Sequence, residues 1–215
     1  MIELEQFGWN MITFGFLGAM VTGALGFWGV IQQAQSIWSQ RSGRSVSVFL
    51  FTHGSLFFAA GCIYGISIGS LALIIMGGRL LVHIPILIGL WKFKGFKWWE
   101  TASGLLFLAV FVAMVTSSHQ DWFYFVISLG AAISIVPQLV ELLIKPCRGA
   151  VNVRFLWIML IGATFWTFYA LAIGDWVLSI ANPLFLMGVL ATLVAWYAAP
   201  AERLDLDEPR DQNND

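Results

Sequence analysis

Long apolar stretches separated by short polar breaks run through nearly the whole 215-residue chain. About 20 consecutive apolar residues suffice to cross a bilayer as a helix. The breaks divide the chain into seven such spans, at 11–37, 46–66, 71–91, 99–117, 122–144, 153–173 and 176–198. The pattern predicts an all-α membrane protein. Two of the three prolines inside the spans have polar neighbours and predict kinks, because proline lacks an N–H and frees the carbonyl four residues back. Pro137, followed by Gln138, would free Ile133, and Pro183, preceded by Asn182, would free Ser179. Such breaks persist in a membrane only where protein or a water-filled cavity satisfies the freed group, so they point to a purposeful site.

Composition supports the class. The chain is 59% hydrophobic and 11% charged, against about a quarter charged in soluble domains. No room remains for a soluble catalytic domain. The net charge of −1 excludes little, since the charges segregate by loop. Of the Lys and Arg residues, Arg41, Arg44, Lys92, Lys94, Lys97, Lys145, Arg148, Arg154, Arg203 and Arg210 all fall at alternate breaks or in the tail. Basic loops stay cytoplasmic, which predicts an outside N-terminus and a cytoplasmic C-terminus. The acidic start lacks the basic region of a cleavable signal, so span one is expected to be retained. Cys62 and Cys147 lie too far apart in depth for a disulfide. The polar, acidic tail at 201–215 is expected to be disordered.

Spans one to three repeat in spans five to seven. A constant offset of 105 pairs Gln33 with Gln138, Val46 with Val151, Tyr64 with Tyr169, Ile68 with Ile173, Gly69 with Gly174, Leu81 with Leu186 and Trp91 with Trp196. The unbroken register across loops carries more weight than the identities themselves. It predicts two parallel three-helix repeats, 11–91 and 122–198, joined by a linker helix at 99–117 (a 3-1-3 arrangement), one way in which small transporters are built.

The second triplet, from Ile135-Val136-Pro137-Gln138 through Trp166 and Tyr169 to Ala181-Asn182, resembles the repeat of the SWEET and SemiSWEET sugar transporters in the wider PQ-loop superfamily. The resemblance implies that Trp166 and Asn182 line a sugar pocket and that the Pro137-Gln138 kink is a gating hinge, with Gln33 and Pro183 at related positions. The first triplet departs from the pattern. It carries Gln32-Gln33 in place of Pro-Gln, Gly61 opposite Trp166 and Gly77 opposite Asn182.

Depth supports a pocket separately. Trp166 and Asn182 flank the Gly174-Asp175 turn at similar distances, which puts both about 12 Å deep in a core roughly 30 Å thick. A Trp face beside an amide suits a polyhydroxyl solute; a packing Trp with an interhelical Asn bond is the plainer alternative. On span three, Arg79 and His83 share a face, four residues apart. A charge at that depth either binds an anionic or zwitterionic solute or is tied to backbone carbonyls. Glu141 is a candidate partner for Arg79, and His53 a further titratable group or a packed one. Glycines 15, 18, 23 and 26 read as close helix packing.

Zinc spacing, phosphate loops, nucleophile–base pairs and basic patches for nucleic acid are absent from the sequence. It therefore argues for no metal, no cofactor and no enzyme. Two classes remain: a transporter of a small polar solute, sugar-like or anionic, and a non-transporting PQ-loop receptor or regulator. The partners implied are the lipid bilayer and the solute, with homo-oligomerisation left open.

Overall fold

A computed structural model describes residues 1–43, 46–144 and 153–199, except the side chains of Gln138, Glu141 and Phe155. The expectations for the tail at 201–215, for Arg44, Lys145, Cys147 and Arg148, and for the Gln138 and Glu141 side chains lie outside the described residues.

All regular structure among the described residues is helical. After a four-residue helix, α1 (Ile2–Glu5), come α2 (Met11–Gln40), α3 (Val48–Ile68), α4 (Leu71–Gly77), α5 (Leu80–Phe93) and α6 (Trp98–Thr116). They are followed by α7 (Gln120–Ile133), α8 (Val136–Ile144), α9 (Val153–Ile173) and α10 (Trp176–Ala198). Six stretches are long and apolar enough to cross a membrane, α4 and α5 counting as one. The protein is thus an integral, multi-pass membrane protein. The predicted seventh span, 122–144, is divided: α7 and α8 have 14 and 9 residues, roughly 21 and 14 Å of helix, and neither alone crosses the core.

The break falls at Ser134–Ile135, just ahead of Pro137. Pro137 therefore occupies the first turn of α8, where its missing N–H costs no helical bond. The Ser134 hydroxyl turns back to the Ala131 carbonyl at 2.6 Å. Pro183, by contrast, lies inside an unbroken α10. A break the sequence did not predict sits between α4 and α5. There Gly78 and Arg79 donate to the Ile75 and Met76 carbonyls at 3.0 Å, the tighter i→i−3 pattern of a 3₁₀ turn.

The offset of 105 recurs in the helix boundaries. Adding it to α3 gives 153–173, the bounds of α9, and adding it to the ends of α4 and α5 gives 176 and 198, those of α10. The turns match as well: Gly69 and Gly174 both close a helix in the left-handed region, at φ 72° and 70°. Ser70 and Asp175 then cap the next helix, accepting from the Leu73 and Leu178 amides.

Packing follows small residues, as expected where lipid supplies no hydrophobic drive between helices. α2 runs along α9, where a Cβ on Gly15 would stand 2.9 Å from the Tyr169 backbone. α7 packs on α3, and α10 on α9 and α7. The main core gathers Ala19, Tyr64, Tyr124, Trp166 and Tyr169 between these helices. α6 is peripheral: only 11% of its apolar window is buried, and it touches α3 and α7 alone strongly. His53 is fully buried in that seam, its ring nitrogens at the Phe49 carbonyl (2.9 Å) and the Ser103 hydroxyl (3.1 Å). Phe107 meets its ring at 4.0 Å, so His53 is a packed, bonded histidine.

Candidate functional site

The two turns that carry Gly69–Ser70 and Gly174–Asp175 lie at one end of the bundle, and that end is tied by crossed bonds. The Tyr64 hydroxyl on α3 donates to Asp175 Oδ2 at 2.7 Å, reaching the cap of α10. The Tyr169 hydroxyl on α9 meets the Ser70 hydroxyl at 2.7 Å, at the cap of α4. Tyr64 and Tyr169 are offset by 105, and so are Ser70 and Asp175. Each tyrosine thus passes over the cap that follows its own helix and binds the cap that follows the other's. Both rings are buried, at 4% and 0% exposure, so water competes poorly for the bonds.

Below the ties the aromatic residues stack. The Tyr124 ring lies 4.5 Å from Tyr64 and 5.9 Å from Phe57. Trp166 stands edge-on to Tyr169 at 5.7 Å. The hydroxyls of Tyr124 and Ser128, one turn apart on α7, are buried neighbours, with no well-formed hydrogen bond between them or to another described residue. Above the ties a cavity of about 380 Å³ opens at the end of the bundle, bordered by Tyr64, Ser67, Ser118, Gln120, Asp121 and Trp176.

Asn182 and Trp166 are brought together. The Asn182 amide donates to the Trp166 carbonyl at 3.1 Å, joining α10 to α9. Gly61 and Gly77 are not the openings their counterparts suggested. A Cβ on Gly61 would stand 3.2 Å from the Tyr124 hydroxyl, and one on Gly77 2.5 Å from Cys62 Cβ. Gly61 lacks the bulk of Trp166, but Tyr124 supplies it from α7, and the residue 105 positions before Tyr124 is Ala19. Large and small residues have been exchanged across the interface, which preserves packing and removes the symmetry.

Arg79 and His83 do not act on one target. The Arg79 guanidinium donates to the Gly23 carbonyl of α2 and lies over the Phe58 ring at 5.5 Å. Gly26 makes room for it, since a Cβ there would meet Nη2 at 2.5 Å. His83 contacts the Ser55 hydroxyl at 3.2 Å on α3. The Pro85 carbonyl accepts from the Trp38 indole at 2.9 Å. Gln33 lies within α2, which runs straight through it.

Sequence reasoning missed Glu3. Its carboxylate accepts from the Leu71 and Ala72 amides at 3.0 Å each, and the Ser70 hydroxyl, which donates to Tyr169, lies 3.1 Å away. It accepts from the Tyr169 hydroxyl too, by a very short bond. Only 1% of Glu3 is exposed. Burial pushes its pKa up, but the bonds from Ala72, Tyr169 and Leu71 outweigh that and hold it below the ordinary 4.5.

These features define a helical, multi-pass membrane protein with crossed polar ties at one end of its bundle. No protein-family model matches the chain, and a search of curated proteins returns no match.

Proposed function

We infer that the protein is a transmembrane transporter of a small polar solute, sugar-like in its hydrogen-bonding character. α7 and α8 together make a seventh span, and two three-helix units rock against each other around a site between them. The crossed Tyr64–Asp175 and Tyr169–Ser70 bonds carry this reading. They join the two units at one end through contacts that can break and re-form, as a gate requires, rather than through interdigitated apolar side chains. The basic loops put that end outside, so the structure corresponds to a form closed to the exterior.

Beneath the gate, the buried Tyr124 and Ser128 hydroxyls offer bonds to a solute, and leaving them unpaired is costly in its absence. Asn182 keeps an N–H and its oxygen after bonding Trp166, and the Trp166 face suits the C–H surface of a sugar. Pro137 supplies the hinge, since the helix is already broken beside it. In uptake of labelled hexoses by proteoliposomes, Asn182→Ala loses a polar contact with the solute and also loosens Trp166. Flux then falls about tenfold or more, by the roughly 1–3 kcal/mol of a buried bond, while the protein still inserts. Undiminished flux assigns Asn182 to packing alone.

Arg79 favours a second reading of the substrate. A guanidinium held in the membrane by one carbonyl and an aromatic ring retains capacity for a carboxylate. Organic anions that compete for uptake in the wild type, and lose that ability in Arg79→Gln, support it.

A further inference from the structure

The geometry points to Glu3 as the carboxylate of the second gate bond, delivered from outside the repeat because position 70 lacks one. The inference rests on the gate reading above. In the second triplet, Asp175 does two jobs with one side chain: Oδ1 accepts from the Leu178 amide at 2.8 Å, and Oδ2 accepts from Tyr64. Its counterpart Ser70 caps the Leu73 amide at 3.3 Å, but a serine hydroxyl brings no charge to Tyr169. Glu3 fills that place. It takes the Tyr169 hydroxyl and the first two amides of α4 together, while Ser70 donates to the Tyr169 oxygen, at a helix start where the dipole favours an anion.

The segment that bears Glu3 is anchored on both sides. The Ile2 amide donates to the Gly69 carbonyl at 3.0 Å. Asn10 caps α2 through the Thr13 amide at 2.9 Å, and the Gly8 amide donates to the Thr13 hydroxyl at 3.1 Å. The short helix α1 is thus a latch across the outer mouth. It makes the two ties equivalent in chemistry, one carboxylate to one tyrosine each, although the repeat encodes only one of them. Opening requires Tyr169 to leave Glu3, so the latch sets the population of the closed form.

Spin labels at Ser67 and Ser118, which both border the cavity at the mouth, read opening as a longer distance by double electron–electron resonance in liposomes. Glu3→Ala raises the ratio of open to closed molecules at least roughly tenfold, the effect of losing charged hydrogen bonds from one state only. Adding Ser70→Asp returns the distribution toward wild type, because the aspartate then serves Tyr169 as Asp175 serves Tyr64. Tyr64→Phe serves as the independent gate control. Unchanged distances in Glu3→Ala, with opening in Tyr64→Phe, overturn the latch and leave the gate standing. Closed distances in both overturn both. Opening in Glu3→Ala that Ser70→Asp fails to reverse overturns the stand-in role. If Glu3→Ala alone does not fold, the double variant decides, since the inference requires it to show the wild-type closed mouth.

Discussion

The close approach of α2 to α9 sets the packing of these two helices, and two glycines on α2 test it with opposite signs. A Cβ on Gly15 would lie 2.9 Å from the Tyr169 N and Cα and 3.0 Å from its Cβ. Carbon atoms prefer about 3.5–4.0 Å, and backbone cannot rotate away as a side chain does. Gly15→Ala must therefore push α2 off α9 by roughly 0.6–1 Å, at the 1–3 kcal/mol typical of overpacking. Alanine's better helix propensity returns about 0.8–1 kcal/mol, leaving a net loss of roughly 0–2 kcal/mol. Gly23 lies two turns further on, where the nearest atom to an added Cβ is Arg79 Nη2 at 3.8 Å, an ordinary contact. Gly23→Ala keeps the propensity gain and stabilises by up to about 1 kcal/mol. Reversible unfolding in mixed micelles, followed by tryptophan fluorescence, separates the two. Equal stabilisation by both substitutions refutes the close approach at Gly15.

Three further outcomes follow from named contacts. A double-mutant cycle of Tyr64→Phe and Asp175→Ala gives a coupling of about 1.5–3 kcal/mol, as for a hydrogen bond to a charged group; a coupling near zero removes the Tyr64–Asp175 tie. Glu3 has a depressed pKa, so its contribution is fully present above the ordinary 4.5 and is lost as pH falls through the lower folded value. The stability difference between wild type and Glu3→Gln accordingly stays constant from pH 8 to 5 and shrinks only below about 4.5, and a change centred near pH 6 contradicts the assignment. Cysteines placed at Gln120 and Gly95 react with an impermeant reagent from opposite faces, and labelling from a single face overturns the topology.

Long apolar runs made the membrane class and most helix ends readable, because twenty-residue windows average over local detail. The 153–173 and 176–198 spans match α9 and α10 residue for residue, since Gly174 and Asp175 punctuate the chain unambiguously. The proline rule found the break in the fifth span, which falls at Ser134–Ile135, between Pro137 and the Ile133 carbonyl that it is expected to free. The 3₁₀ turn at Gly78 escaped, as paired glycines in a membrane helix signal packing as readily as a break. His53 and the glycine stripe of α2 were legible as packing. Gly61 was not, because its filler, Tyr124, comes from a helix more than 60 residues away and no local pattern names it. Glu3 left one usable trace: the repeat has Asp at 175 and Ser at 70, and two acidic residues, Glu3 and Glu5, stand in the segment ahead of span one.

The central claim is transport, and counterflow measures it without a driving ion gradient. Proteoliposomes preloaded with an unlabelled hexose and diluted into a trace of the labelled sugar should accumulate label transiently and saturably, and Tyr64→Phe should alter the rate. Folded, reconstituted protein that produces no saturable counterflow of neutral sugars or of small organic anions would contradict the account.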